Sequence, residues 1–156
     1  MVLPEQLVKP AVQLKTLFNN HNGWLDQVVM AKFIQEGHFE RHLRVIRKDY
    51  KIRRDMLIEE LEKNFGEVEL SGAGGGMHVT WTLADNFPVD AETLKREAMK
   101  VGVGLYTMNS GGAIELSKTE KGSRRIILGY SSLDHRQIVE GMRRVKETVK
   151  RLSLRK

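Results

Sequence analysis

The stretch from residue 38 to residue 66, HFERHLRVIRKDYKIRRDMLIEELEKNFG, determines how the rest of the chain is interpreted. Its apolar residues recur at steps of three and four or their sum, which is typical of one face of a helix. These residues are Phe39, Leu43, Ile46, Tyr50, Leu57 and Leu61. Gly66 follows the last turn, where a glycine commonly ends a helix. The pattern predicts a helix of roughly 40 Å, at 1.5 Å per residue, which is long enough to connect parts of a larger protein.

Two shorter helices are predicted before this one. Apolar spacing over residues 2–21 predicts the first, which Pro10 is expected to kink or to end early. The spacing over residues 24–36 predicts the second, with Gly37 as its end. We therefore expect residues 1–36 to form a helical segment, and residues 37–156 to form the long helix plus a small domain.

Beyond the long helix the pattern changes from helix to strand. Apolar and polar residues alternate over residues 77–83, which predicts a half-buried strand. The apolar run within residues 125–130 predicts a buried strand. Two shorter strands are expected at residues 67–70 and 103–106. The glycine-rich segment between the first two strands predicts a loop.

Two further helices complete the predicted domain. Asp90 stands where it can cap a helix that Gly102 ends, and Ser131 with Asp134 fits the capping-box pattern before a last helix. The order of elements is three helices followed by strands that alternate with helices. The predicted fold class is α+β, with a helical N-terminal part and a long helix that leads into a small mixed-sheet domain.

The composition excludes several classes of protein. Of the 156 residues, 40% are hydrophobic and 29% are charged, as in a globular domain and unlike a disordered chain. The absence of cysteine excludes disulfides, thiolate catalysis and cysteine-type zinc sites. No run approaches the roughly 18 apolar residues that cross a bilayer, so we expect no membrane contact and a cytoplasmic location.

Basic residues concentrate at the C-terminal end. The formal net charge is +6, and from Asp134 onward eight basic residues stand against three acidic ones. A basic stripe of this kind attracts phosphate, which is one interpretation of the last helix. We favour the other, a solvated helix face, because cations near a helix C-terminus interact favourably with the helix dipole.

Neither the glycines nor the histidines form a recognisable phosphate or metal site. The run Gly72–Gly76 is followed by a strand and by no Gly-Lys-Ser/Thr, so it lacks the helix N-terminus of a phosphate-binding loop. His38 and His42 have the spacing of two metal ligands on one helix face, but a third ligand is not evident. We interpret the glycines as a flexible loop and the histidines as surface residues.

Five local patterns, taken in order along the chain, resemble a known family. They are MVLPE from Met1, GHFERHLR from Gly37, GGMHVTW from Gly75, GVGLY from Gly102 and LGY from Leu128. Together they resemble the C-terminal part of fold type I PLP-dependent aminotransferases, and most of all the aminotransferase-like domain of MocR-type regulators of the GntR family. The resemblance covers almost the whole chain and implies an interdomain helix followed by the small domain of that fold.

In this family the cofactor is bound by residues that would lie upstream of this chain. PLP forms a Schiff base with a lysine, and the segment that Met1 opens resembles the one just after that lysine. The resemblance therefore implies PLP in a longer parent protein, no covalent PLP on this chain and no transamination by this chain alone. A MocR-type regulator would bind DNA through a winged-helix region that also lies upstream.

The resemblance further indicates which residues face a substrate. It places Gly75, Gly76 and Met77 of the glycine-rich loop, and His78 of the following strand, in the substrate pocket. These four residues are the first part of the predicted site.

The second part of the predicted site concerns the substrate carboxylate. Aminotransferases typically bind it with an arginine, whose planar fork donates two parallel hydrogen bonds. Alignment on the LGY segment puts Ile127 at that position, with Arg124 and Arg125 close by. Either the alignment is shifted along the strand, or the protein does not bind an ordinary amino-acid carboxylate there. We take the departure as favouring effector sensing over catalysis.

The sequence thus predicts an effector-sensing, aminotransferase-like domain of a PLP-dependent transcriptional regulator, with an amino-acid-like or PLP-related small molecule as its ligand. A true PLP-dependent aminotransferase is the first alternative, and a freestanding basic interaction module is the second. Because the apolar helix faces before Gly37 would pack on a large domain, we also expect the chain alone to form homo-oligomers.

Overall fold

The computed structural model describes residues 3–18, 23–111 and 122–154. Five helices and four strands occupy these ranges, together with two short 3₁₀ turns at Met108–Gly111 and Gly122–Arg124. The helices and strands are, in chain order, α1 (Glu5–Phe18), α2 (Trp24–Gln35), α3 (His38–Phe65), β1 (Glu69–Ser71), β2 (His78–Thr82), α4 (Ala91–Met99), β3 (Tyr106–Thr107), β4 (Arg125–Gly129) and α5 (His135–Ser153).

The chain divides into two compact units, Met1–Ile46 and Arg47–Lys156, with the boundary inside α3. The first unit contains α1 and α2, and no described residue of either helix is buried. Pro10 lies inside α1, which continues to Phe18, so the prediction that Pro10 ends the helix early was wrong. A proline removes one backbone hydrogen bond, and the helix bonds on both sides of it are sufficient to continue the helix. The division at residue 36 stays a prediction.

The second unit contains a four-stranded sheet in the order β1-β2-β4-β3. The predicted α+β class is confirmed. Each strand pair is antiparallel, where a mixed sheet had been predicted. Alternating hydrophobicity identifies a strand without fixing its direction, which the connections determine. A glycine-rich turn joins β1 to β2, and a turn of this length makes neighbouring strands antiparallel.

The core lies on one face of the sheet, between the sheet and the helices of the second unit. Val79 and Trp81 of β2 pair in register with Leu128 and Ile126 of β4, and all four side chains are buried. The end of α3 and the apolar faces of α4 and α5 cover them. The buried helix residues of this core are Leu57, Leu61, Ala91, Leu94, Ala98, Ile138, Met142 and Val145.

The opposite face of the sheet, here called the outer face, carries mostly polar side chains. Thr80, Thr82, Arg125 and Ile127 on this face are half-buried, whereas the residues at its edges are exposed. Ile127 does not join the hydrophobic core. The outer face consists of Glu69, Ser71, His78, Thr80, Thr82, Tyr106, Arg125, Ile127 and Gly129.

Helix ends follow the predicted chemistry with one correction. Gly66 has a φ of 77°, a left-handed conformation that glycine adopts without strain. The Asp90 side chain accepts a hydrogen bond from the Thr93 amide at 2.8 Å, as an N-cap should. The capping box of α5 pairs Asp134 with Gln137, with both hydrogen bonds at 2.8 Å. The predicted box had begun one turn earlier, at Ser131.

Two short strands also lie later in the sequence than predicted. β1 spans Glu69–Ser71 where residues 67–70 were expected, and β3 spans Tyr106–Thr107 where residues 103–106 were expected. In both cases the partner strand sets the limits, because only residues that find a backbone partner join the ladder. None of the described helices is long and apolar enough to cross a membrane.

Candidate functional site

The glycine-rich loop between β1 and β2 is the first half of the predicted site. Gly72 and Gly76 have φ values of 76° and 95°, so the loop turns through conformations that other residues rarely adopt. Gly75, Gly76 and Met77 are exposed, and His78 is the exposed first residue of β2. These four consecutive residues lie where the loop enters β2, at one end of the strands.

This loop is held by side chains from α3 and from the end of β4. Nη1 of Arg54 donates to the Ala73 carbonyl at 2.9 Å. The Tyr130 hydroxyl donates to the Gly76 carbonyl at 2.8 Å, and the Tyr130 amide donates to the Met77 carbonyl at 3.1 Å. Both ends of the loop are thus held by hydrogen bonds to its backbone carbonyls, and the side chains of the loop take no part in these bonds.

These hydrogen bonds from Arg54 and Tyr130 are here called the tethers of the loop, and Tyr130 also contacts α3. Its ring is 1% exposed and meets the ring of Tyr50 edge to face, with 6.4 Å between centroids. Arg53 donates to the carbonyl of Ser131, the residue after Tyr130. Three residues of one helical turn of α3 therefore hold the loop and the segment that follows β4.

Sequence analysis did not identify these tethers as part of the site. Arg53, Arg54 and Tyr130 lie in segments that resemble the family, the long helix and the LGY pattern, but the resemblance gave them no role in the site. Each of these side chains donates a hydrogen bond to a backbone carbonyl. Every residue has a carbonyl, so the sequence does not show which one accepts the bond. A polar contact of this kind becomes visible only with the fold.

Arg124 and Arg125, the other predicted pocket residues, lie at the far end of the sheet and differ in their surroundings. Arg124 donates through Nε to the Leu83 carbonyl at 3.1 Å and through Nη2 to the Ala84 carbonyl. It also forms an ion pair of 3.0 Å with Asp85. Nε of Arg125 is buried and has no hydrogen-bond partner in the described part of the chain.

The two parts of the predicted site do not meet. His78 pairs with Gly129, and Thr82 pairs with Arg125, so the two positions are four residue steps apart on β2. At about 3.4 Å per residue, this is roughly 13 Å along the strand. The sheet therefore does not form a single small pocket lined by the loop residues and by both arginines. The roles assigned to these residues stay predictions.

Ile127 lies between these two positions. It pairs with Thr80 on one side and with Tyr106 on the other, and all three residues are on the outer face. The face of the sheet that the resemblance assigned to the substrate thus carries an aliphatic side chain between a hydroxyl and a phenol at this point. Arg125 lies on the same face, two residues earlier, whereas Arg124 precedes the strand.

The described residues near this site do not provide an amine for PLP. No lysine lies in the loop Ser71–Gly76 or on the outer face as defined above, and Lys95, the only half-buried lysine described, contacts Ser110 and Glu92. The described residues also contain no group of three potential metal ligands. His38, considered above as a metal ligand, stacks on Phe33 and lies 3.4 Å from the Glu36 carboxylate.

A polar cluster that the sequence did not predict lies between α4 and β3. The Thr107 hydroxyl donates to Oε1 of Glu92 at 2.5 Å, and the Asn109 side chain donates to the same oxygen at 2.9 Å. The bond from Thr107 contributes most to lowering the pKa of the Glu92 carboxyl below its usual value. The cluster closes the edge of the sheet at β3 rather than facing the loop.

Three of the six lysines and arginines of α5, namely Arg143, Arg144 and Arg151, form ion pairs with described residues. Arg143 donates to both oxygens of Glu140 and to Glu147, and Arg144 donates to Glu140 at 2.7 Å and to the Val101 carbonyl at 2.9 Å. These bonds lower the pKa of Glu140 from 4.5 to about 2. An open groove of about 310 Å³ lies beside this network, between α5 and the segment Gly102–Leu105. The basic interaction module stays an alternative, and binding of the chain to DNA at low salt would test it.

The chain is similar in sequence to transcriptional regulators and to transaminases. No family model matches the chain. It is 26% identical over 149 residues to an uncharacterized HTH-type transcriptional regulator of Bacillus subtilis, which is 94% of this chain and 30% of that protein. It is 26% identical over 145 residues to a probable rhizopine catabolism regulatory protein of Rhizobium meliloti (91% and 28%). Identity is 30% over 155 residues with the 2-aminoadipate transaminase of Thermus thermophilus (96% and 36%).

The fold has a counterpart among solved structures. The α-aminoadipate aminotransferase of Thermus thermophilus, crystallised with N-(5'-phosphopyridoxyl)-L-leucine, superposes with a TM-score of 0.73 at 27% identity. The match covers 99% of this chain and 38% of that one. The homologues of this chain are thus MocR/GntR-type regulators and fold type I PLP aminotransferases, and the chain corresponds to part of an aminotransferase-like domain. It spans about 30% of the length of the first curated relatives.

Proposed function

We propose that this chain is part of an effector-sensing, aminotransferase-like domain in a PLP-dependent transcriptional regulator. The observation that carries the proposal is the match to an HTH-type regulator along 94% of the chain. The aliphatic Ile127 on the outer face supports it, because a regulator need not bind an amino-acid carboxylate as a transaminase does. The effector would be an amino-acid-like or PLP-related small molecule. DNA would be bound by a region outside this chain.

In this function the chain would transmit ligand binding to α3. A ligand beside the glycine-rich loop would favour one position of that loop over another, and a ligand shifts an equilibrium only through such a difference in affinity. A displacement of the loop would either break its hydrogen bonds from Tyr130 and Arg54 or move these side chains with it. Since Arg54 belongs to α3, a displacement of the loop would pull on that helix. The helix would then pass the change to the rest of the protein.

PLP enters this proposal as the cofactor of the longer protein. It would supply an aldehyde that condenses with an amine, and the lysine that forms this bond would lie outside the chain. The residues of this chain would contribute contacts around the ligand and no covalent attachment. The chain alone would therefore not transaminate.

The test uses the longer polypeptide in which the chain occurs. Its DNA binding is measured by fluorescence anisotropy on the promoter region of its own gene, with and without PLP and with a panel of amino acids, and its transamination is measured with the same panel. We expect specific DNA binding that an amino compound alters by fivefold or more, and little turnover. Rapid turnover without DNA binding would overturn the proposal.

A true PLP-dependent aminotransferase is the second candidate. The observation in its favour is the 30% identity to the 2-aminoadipate transaminase of Thermus thermophilus, which exceeds the identity to the two regulators compared above. The gene distinguishes the two candidates before any assay. A reading frame that continues upstream into a lysine motif and a winged helix supports the regulator, whereas a lysine motif without a winged helix supports the enzyme.

A further inference from the structure

A cavity of about 440 Å³ lies where α3 ends and the sheet begins, and three aromatic residues line it. They are Phe65 at the end of α3, Trp81 of β2 and Phe87 in the segment between β2 and α4. The ring centroid of Trp81 is 4.8 Å from that of Phe65 and 5.5 Å from that of Phe87, which it meets edge to face. The volume is in the range of small-molecule sites, about 300–1,000 Å³.

These residues offer a ligand both ring surface and a hydrogen-bond donor. Phe65 and Phe87 are half-buried, so part of each side chain stays accessible. Trp81 is 2% exposed, and its indole Nε1 donates to no described residue. A buried indole N–H usually has an acceptor. The described part of the chain supplies none, which leaves this donor available to a bound molecule.

Two carboxylates, those of Glu67 and Glu69, line the same cavity. Both residues are exposed, and neither side chain forms an ion pair or a hydrogen bond with a described residue. Over residues 59–69 five glutamates stand against one lysine, although the whole chain carries a formal net charge of +6. That lysine, Lys63, is paired with Glu60 at 2.8 Å. This corner of a basic chain therefore attracts cations.

We propose that this cavity binds the ammonium ion of an arylalkyl amine. The aromatic ring of the amine packs against Phe65 and Phe87, and its ammonium group lies beside Glu67 and Glu69. The site is at the opposite end of β2 from the glycine-rich loop, roughly 13 Å away along the strand. It does not depend on whether the longer protein regulates transcription or transaminates, so either proposal can fail without the other.

The charges around the cavity select the ammonium group. Two carboxylates repel an anion, whereas an ammonium group donates charge-assisted hydrogen bonds, which are roughly twice as strong as neutral ones. Arg125 is a cation in the same row of the sheet, since it pairs with Thr82 and Thr82 pairs with Glu69. It does not line the cavity, and two strand spacings, roughly 10 Å, separate it from Glu69. This distance exceeds the screening length of about 8 Å at physiological ionic strength, so the two carboxylates dominate.

The aromatic residues select the rest of the ligand. Aromatic rings pack favourably edge to face or offset, and a cation near a ring face is attracted by the ring. Methylammonium would find the carboxylates without burying a ring, and 2-phenylethanol would bury a ring without meeting the carboxylates as a cation. Phenethylammonium does both, and the apolar area that it buries increases affinity. We expect it to bind at least tenfold more tightly than methylammonium and at least fivefold more tightly than 2-phenylethanol.

The experiment uses the two tryptophans of the 156-residue chain as reporters. Indole Nε1–Hε1 resonances of the ¹⁵N-labelled protein are recorded at pH 7 and constant ionic strength during titrations with phenethylammonium, methylammonium, 2-phenylethanol and phenylacetate. Trp24→Phe removes one of the two signals and so assigns the other to Trp81. The Trp81 signal should shift and saturate, and phenethylammonium should saturate it first. The signal of Trp24, which is 72% exposed and lies outside the cavity, should not saturate.

Matched variants separate the charge from the ring contact. Glu67→Gln and Glu69→Gln should each weaken phenethylammonium binding at least twofold and leave 2-phenylethanol unaffected. Glu62→Gln removes an exposed carboxylate that does not line the cavity and should change neither titration. Phe87→Leu should weaken both ligands at least threefold, whereas Phe39→Leu, at a half-buried phenylalanine outside the cavity, should not. If Phe87→Leu does not fold, the comparison of phenethylammonium with methylammonium in the unsubstituted chain tests the same contact.

Each of four results would overturn the proposal. The first is a Trp81 signal that moves without saturation, as that of Trp24 does. The second is 2-phenylethanol or phenylacetate saturating as early as phenethylammonium, which would make the cavity an apolar or an anion site. The third is an equal affinity for methylammonium and phenethylammonium, which would remove the ring contact. The fourth is unchanged phenethylammonium binding in both Glu67→Gln and Glu69→Gln.

Discussion

At the scale of single residues, the Tyr130 hydroxyl has the most direct consequence for the site. It donates to the Gly76 carbonyl at 2.8 Å from a ring that is 1% exposed. Tyr130→Phe removes this donor and leaves the Gly76 carbonyl without its tyrosine partner. We expect the free energy of unfolding to fall by about 1 kcal/mol. Urea denaturation measures the change.

The control for this variant is Tyr106→Phe, because Tyr106 is 59% exposed and its hydroxyl has no described partner. It should change stability by less than about 0.5 kcal/mol. Amide exchange separates the tether from a general effect: in Tyr130→Phe the amides around Gly76 should exchange faster, while those of Ile138–Val145 should not. Uniformly faster exchange would show that Tyr130 stabilises the core as a whole and has no specific effect on the loop.

Glu140 gives the chain a pH dependence with a defined sign. Hydrogen bonds from Arg143 and Arg144 lower its pKa from 4.5 to about 2 in the folded state. A lowered folded pKa means that the carboxylate stabilises the fold above the unfolded pKa and that this contribution is lost as the pH falls. We expect stability to fall between about pH 4.5 and 2, and Glu140→Gln to flatten that part of the profile.

Thermal unfolding at a series of pH values checks this. Glu62→Gln is the matched control, since Glu62 is an exposed carboxylate of α3 without a described ion pair. It should keep the acid-sensitive profile of the unsubstituted chain. The same steep loss in Glu140→Gln would mean that other carboxylates with lowered pKa values, such as Glu92, account for it.

At the scale of elements, the start of α5 tests the corrected capping box. Asp134→Ala removes the acceptor of the Gln137 amide and should lower the free energy of unfolding by about 1 kcal/mol. Ser131→Ala should have little effect, because Arg53 uses the Ser131 backbone carbonyl and not its side chain. Urea denaturation of both variants measures the difference. Equal losses would restore the capping box predicted from the sequence.

Two glycines of different helices should respond to alanine with opposite signs. Gly66 ends α3 at a φ of 77°, where a side chain costs roughly 1 kcal/mol or more. Gly141 lies within α5, and an added Cβ there meets no atom within 4 Å. Gly141→Ala should therefore stabilise the chain by about 0.5–1 kcal/mol, and Gly66→Ala should destabilise it. Calorimetric melting temperatures would give both signs, and a lower melting temperature for Gly141→Ala would contradict the expectation.

These elements also show how far the sequence determines the fold. The extent of α3 could be predicted, because its apolar period persists over many turns and Gly66 ends it. The limits of β1 and β3 could not, because they depend on which of their residues find backbone partners in β2 and β4. The Ser131 pattern misled because it satisfies a spacing rule, whereas the structure uses the Ser131 carbonyl for Arg53.

The candidate site likewise contains residues that the sequence could identify and a difference between residues that only the fold shows. The loop residues from Gly75 to His78 were assigned by family resemblance, and their role in a site stays a prediction. The difference between Arg124 and Arg125 was not predictable, because it depends on the pairing register of β4. A shift of that register by one residue would place Arg124 on the outer face in place of Arg125.

At the scale of the whole molecule, the first unit has apolar surface without a core of its own. The described residues of α1 and α2 are all exposed or half-buried. Large hydrophobic side chains at least 40% exposed are Leu7, Val8, Val12, Leu14, Leu17, Phe18, Trp24, Leu25, Val28, Val29, Met30 and Ile34. Contiguous apolar patches beyond a few hundred Å² mark interaction surfaces in soluble proteins. We therefore predict that the isolated chain self-associates through these two helices.

Trp24 provides the measurement, because it is 72% exposed while Trp81, the other tryptophan, is 2% exposed. As the concentration rises, the emission of Trp24 should move to shorter wavelengths while light scattering reports a growing mass. Val29→Glu should shift both transitions to higher concentration, because it places a charge among the apolar residues of α2. Leu154→Glu introduces the same charge at a residue that is 80% exposed beyond α5, and should leave both unchanged. A constant monomer mass with unchanged emission would mean that water alone covers these helices.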